Sequence, residues 1–155
     1  MKAREETKMP STHSNLHYHI VFSTKDRVPL IRNEWINRLH AYMGGIVKNL
    51  GGVPVAVGGM SDHAHVLTGL TTSHRLDYFV RDLKADSSAF IRKEFDGKFS
   101  WQKGYGVFAV SPLAIEAVRT YILNQERHHS GRTFQEEYLD LLIKSETPYD
   151  EKYLW

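Results

Sequence analysis

The sequence predicts an α+β domain of the ferredoxin-like kind: a β-α-β-β-α-β antiparallel sheet with additional C-terminal helices. Two observations predict it. Short alternating or β-branched runs and longer runs with helical apolar spacing succeed one another in that order, and the order is that of the split β-α-β motif. The length of 155 residues suits one buried core.

Each element has its own reason. "LHYHIVFST" (16–24) alternates and is β-branched, so it reads as a strand. "RNEWINRLHAYMGGIVKNLGG" carries Trp35, Leu39, Met43, Ile46, Val47 and Leu50 at helical spacing and is stopped by Gly51 and Gly52. "VPVAVGG" (53–59) is a short strand, and "MSD" turns into a third strand from His63 to Leu70. "SHRLDYFVRDLKADSSAFIRKEF" places Leu76, Phe79, Val80, Leu83, Phe90 and Ile91 on one stripe of a second helix. "YGVFAVS" (105–111) is the fourth strand, its "GYG" a flexible lead-in. Ser111-Pro112 then gives an N-cap and a first helical residue for "LAIEAVRTYILNQERHH". "TFQEEYLDLLIKS" opens on the capping box Thr133-x-x-Glu136. The polar first 14 residues read as a loose arm, leaving residues 15–155 as a single domain.

Composition narrows the function classes. No run reaches the length of a membrane span, and the polar N-terminus lacks a signal-peptide core. Without cysteine, disulfides, thiolate zinc sites and thiol catalysis are excluded, and a cytoplasmic setting is expected. The formal charge of +2 permits nucleic-acid binding without arguing for it.

Chemistry enters with "MSDHAHVLTGL" (60–70). On a strand, His63 and His65 share a face, while Ala64 and Val66 suit the helix-covered side. The histidines are therefore expected on the open face. Nine histidines in 155 residues give about half a His-x-His pair by chance, and this chain has two, so the pair alone is weak evidence for a metal. The helix after the fourth strand adds to it. Tyr121 and Gln125, four apart, lie on one face with Val118 and Ile122. A tyrosine there is ordinary core, but an amide is costly to bury without a partner. The Gln125 carbonyl oxygen can complete two imidazoles as a three-ligand site with positions left for water and a phosphate oxygen. The phenol of Tyr121, with an ordinary pKa near 10, is a poor nucleophile unless a nearby cation favours its anion.

Other residues are weighed against blander roles. Arg81, Lys84, Arg92 and Lys93 can track a phosphate backbone, though basic residues on an exposed helix are usually only solvated. Tyr105 can stack a base, whereas Trp101 and Phe108 are expected to pack. His128 and His129 suit proton transfer or DNA contact, or merely a solvated helix end. His17 and His19 are either support for a metal site or the polar face of a strand; the latter is expected.

Taken together, "HYHIVFSTKDR", "SDHAHVL", "WQKGYGVFAVS", "YILNQERHH" and "YDEKYLW" resemble segments of the HUH single-tyrosine transposases. These are insertion-sequence transposases related to the REP-associated tyrosine transposases, and the resemblance runs over residues 15–155. It implies that His63-Ala64-His65 is the histidine–hydrophobic–histidine metal motif, Tyr121 the catalytic tyrosine and Gln125 the third ligand. The implied chemistry is cleavage and rejoining of single-stranded, hairpin-containing DNA with Mg²⁺ or Mn²⁺, through a 5′-phosphotyrosine and a free 3′-OH. Imidazole and amide ligands favour Mn²⁺ by softness, abundance favours Mg²⁺. The family also implies a homodimer in which one subunit's tyrosine helix can complete the other's site. The rival readings are an HUH replication or relaxase-type nicking enzyme and a non-catalytic nucleic-acid-binding module on the same fold.

Overall fold

In the computed structural model, which describes residues 11–125 and 131–154, four strands form one antiparallel sheet. They are β1 (Leu16–Ser23), β2 (Val53–Met60), β3 (His63–Leu70) and β4 (Gly106–Val110), in the spatial order β2-β3-β1-β4. Helix α1 (Ile36–Asn49) links β1 to β2, and α2 (Leu76–Glu94) links β3 to β4. This is the ferredoxin-like split motif, as the sequence predicts. Helices α3 (Ile115–Leu123) and α4 (Phe134–Lys144) follow β4. No helix among the described residues is long and apolar enough to cross a membrane. Of the N-terminal arm expected over residues 1–14, the first ten lie outside the described residues; the remaining four are exposed.

The alternation of the strands decides what each face holds. Ile20, Phe22, Ala64 and Val66 face α1 and α2, where they pack with Leu39, Met43, Val80 and Leu83. Fully burying a Val, Leu, Ile, Phe or Met side chain in this layer contributes about 1.5–3 kcal/mol. Trp101 belongs to it, standing edge-on to Phe22 and Phe99 with its indole N–H donated to Ser87 Oγ at 3.0 Å. The packing role expected of Trp101 is the one it has.

The opposite face departs from expectation. It is not open. All eight residues of β3 are buried, because α3 and α4 cover the side that carries His63 and His65. Ile122 of α3 packs on Ala56 and Leu67. The helix comes so close that a Cβ placed on Gly58 of β2 would lie 2.3 Å from the Ile122 carbonyl oxygen. Glycine at 58 is thus what lets α3 lie down on the sheet.

The caps behave as their sequences suggest. Ser111 Oγ accepts from Leu113 N–H and opens a short 3₁₀ turn, Pro112–Ala114, that leads into α3. Thr133 Oγ1 accepts from Glu136 N–H at the start of α4. One expectation fails in detail. The helix from Ser111 does not run unbroken to the histidines, since Asn124 leaves helical geometry (φ −108°, ψ 29°) and α3 ends at Leu123.

Candidate active site

His63 and His65 reach the same face of β3 by the two-residue period of the strand, and both are 0% exposed. Each ring is held from behind through Nδ1. Asp62 Oδ1 lies 2.7 Å from His63 Nδ1, and His19 Nε2 lies 2.7 Å from His65 Nδ1. His19 comes from β1, where Val21 is the direct partner of His65 and His19 is one step along the same face. Both Nε2 atoms are thereby turned inward.

The inward space is closed by residues from the C-terminal elements. Gln125, just past the break at Asn124, puts Oε1 3.0 Å from His63 Nε2, while its own N–H₂ donates to the Tyr121 carbonyl at 3.4 Å. The break therefore does not separate Tyr121 from Gln125; it lets the amide turn to the strand. From α4, Glu137 places Oε1 2.6 Å from His65 Nε2 and 3.9 Å from His63 Nε2. Phe134, one turn earlier, stacks on His63 with ring centroids 4.4 Å apart. Gln125 and Glu137 are each 2% exposed. One ligand atom from each of His63, His65 and Glu137 lies within 4.8 Å of the others, a grouping that can hold a metal ion.

Tyr121 sits at this cluster, its ring edge-on to His65 at 5.9 Å between centroids. Glu137 and Gln125 both act on its hydroxyl. Burial first, then the charge of Glu137, push the phenol well above its ordinary range. Burial likewise lowers His19 to about 3, with His65 adding to the effect and Glu137 opposing it, so His19 is neutral. Its expected role as strand-face polarity is replaced by that of a buried support for His65.

The other candidate residues stand elsewhere. Arg81, Arg92 and Lys93 belong to α2, which packs on the far face of the sheet from the histidines. Arg81 pairs with Asp82, and Arg92 donates to the Phe99 carbonyl. Lys84, half-buried, donates to the Gln102 and Gly104 carbonyls at 2.6 and 2.9 Å. It ties down the turn in which Gly104 takes a φ of 85°, so the "GYG" lead-in is pinned. Tyr105 is exposed beside it. Phe108 lies between His19 and Tyr138. His17 is on the site face of β1 but borders Gly69 rather than the cluster. His128 and His129 lie outside the described residues.

Two residues of the cluster escape sequence reasoning. Asp62 reads only as a turn residue in "MSD". Glu137 sits where an apolar residue belongs on the α4 stripe, between Phe134 and Leu142, both buried. A carboxylate on that stripe was the available signal.

Known proteins share the fold and give the family. A solved structure of a candidate transposase from Deinococcus radiodurans R1 superposes with a TM-score of 0.63 at 29% identity, covering 76% of this chain and 96% of that one. A REP-associated tyrosine transposase bound to a REP hairpin superposes with a TM-score of 0.57 over 79% of this chain and 74% of that one; at 12% identity it shares the fold. No curated protein matches the chain. The profile of the IS200-like transposases matches residues 12–125, from the first strand to Gln125. The chain belongs to the IS200-like transposase family.

Proposed function

We propose that this transposase cleaves and rejoins single-stranded, hairpin-bearing DNA through a 5′-phosphotyrosine on Tyr121, with a divalent metal, Mg²⁺ or Mn²⁺, held at His63 and His65. The observation that carries the reading is Tyr121 standing edge-on to His65 in a buried cluster of inward-facing donors. Two imidazoles, an amide oxygen and a carboxylate are a donor set that fits such an ion. When bound, the ion polarises the scissile phosphate and offsets the charge that develops in an in-line displacement.

The rest is the work of the chain's own residues. Asp62, an acceptor, holds the Nδ1–H of His63 and so sets its tautomer, while His19 fixes the direction of the His65 ring through Nδ1. The α3 helix, seated on Gly58, presents the Tyr121 hydroxyl. Its oxygen attacks phosphorus, its proton leaves, and the bond from phosphorus to the 3′ oxygen breaks as that oxygen takes up a proton. The phosphotyrosine keeps the energy of the phosphodiester, so a second 3′-OH can rejoin the strand without ATP. A groove of about 840 Å³ lined by Arg32, Asn33, Asn37, His40 and Gln125 offers the strand an approach to the cluster. Strand transfer must hold two DNA ends, which suits a homodimer.

The test uses hairpin-forming strands from the DNA flanking the gene, each also annealed as a perfect duplex. A covalent adduct should appear on a denaturing gel with the single strand and Mn²⁺, and disappear with EDTA. Equal cleavage of the duplex, or an adduct that survives chelation, contradicts the reading.

A further inference from the structure

We infer that Glu137 is a ligand of the metal, so that metal binding and the docking of α4 onto the sheet are one event. The inference rests on the metal site proposed above and adds to it a donor from outside the family-matched segment, residues 12–125. Metal bonds of about 2.1 Å place neighbouring ligand atoms about 3.0–3.4 Å apart in octahedral or tetrahedral shells. The inward atoms already stand near that spacing: 2.6 Å from Glu137 Oε1 to His65 Nε2, 3.9 Å to His63 Nε2, and 3.0 Å from His63 Nε2 to Gln125 Oε1. With one ligand atom from each of His63, His65 and Glu137 within 4.8 Å of the others, they can gather around one centre.

Burial argues the same way. A carboxylate removed from water is costly unless its charge is met, and Glu137 sits with its oxygens toward two imidazoles and a phenol. A divalent cation at their common focus meets that charge directly. Two histidines and one carboxylate also form a set that binds Mn²⁺ or Fe²⁺ more readily than two histidines and an amide. The ligands would then join β3 to α4, with Phe134 stacked on His63 sealing the joint. Binding of the ion thereby orders a helix that lies beyond the matched segment.

The experiment titrates Mn²⁺ into the metal-stripped full chain by calorimetry and follows amide hydrogen exchange with and without the ion. In the wild type, Mn²⁺ should bind and slow exchange across residues 134–144 at least tenfold. Glu137→Gln, nearly the same shape, should lower the affinity at least tenfold and abolish the added protection of α4. Glu137→Asp, which keeps the charge on a shorter arm, should fold even if the glutamine variant does not, and should bind at least threefold more weakly. Wild-type affinity in any folded variant at 137 overturns the inference. So does a wild type that binds no Mn²⁺, or one whose α4 exchange ignores the ion. Tyr121→Phe separates this from the cleavage reading: it should keep wild-type Mn²⁺ affinity while the adduct is lost. A chain that binds Mn²⁺ through Glu137 yet forms no adduct leaves the ligand assignment standing and removes the chemistry.

Discussion

His19 Nε2 lies 2.7 Å from Nδ1 of His65, with both rings buried and stacked 5.0 Å apart between centroids. The contact ties the first strand to the histidine pair of the third. His19→Ala should free the His65 ring to rotate and lower Mn²⁺ affinity by about 10–100-fold, the usual range for losing an outer partner of a metal-bound histidine. A calorimetric titration checks it. An unchanged affinity would make His19 simple packing.

That contact also marks where the sequence could be read and where it could not. Alternation in β1 and β3 places the histidines on one face and Ala64 and Val66 on the other, and the apolar stripes of α1 and α2 pick out the residues that pack there. These are local periodicities, and they survive folding. The covering of the histidine face is not local. It depends on α3 approaching Gly58 and on α4 returning over β3, and neither path is written in a spacing. His19 therefore reads as the polar face of a strand until tertiary contacts bury it. Truncating His63 consequently opens a space beneath Phe134, so that variant needs a stability measurement beside the activity assay.

Gly58→Ala should displace α3. The added methyl would meet the Ile122 carbonyl at 2.3 Å, a backbone atom that cannot move without its helix. Overpacking of this kind costs about 1–3 kcal/mol. Thermal unfolding should show the loss, and adduct formation should fall further than stability because Tyr121 rides on the same helix. A variant with wild-type stability and adduct yield would mean that α3 does not sit against β2.

Lys84→Met should lower stability by about 1.5–3 kcal/mol, the range for hydrogen bonds with a charged partner, because it releases the Gln102–Gly104 turn. If its ammonium is wholly occupied there, the salt dependence of hairpin binding should not change. A slope reduced by about 0.7, as expected for one lost phosphate contact on a single strand, would instead put Lys84 on the DNA.

His40 gives the stability a pH dependence. Its Nε2 is buried with no hydrogen-bond partner among the described residues. Burial, then repulsion from His65 and His63, lowers its pKa from 6.5 to about 4. Between those values the unfolded chain binds the proton and the folded chain does not, so stability is full above about pH 6.5 and falls as the pH drops toward 4. The slope from this one group is at most about 1.4 kcal/mol per pH unit. Urea unfolding of His40→Leu should be flatter by that amount over this window. An unchanged slope would mean that His40 is already charged in the folded protein.

If Tyr121 is the nucleophile, removing its oxygen must abolish the covalent step. Tyr121→Phe keeps the ring against His65 and removes only the phenolic oxygen, at a cost of about 0.5–1.5 kcal/mol for a hydrogen bond lost. Incubated with Mn²⁺ and single-stranded hairpin DNA, the variant should bind the strand and remain folded, yet give no covalent protein–DNA band on a denaturing gel. A covalent band of wild-type intensity from Tyr121→Phe would put the nucleophile on another residue.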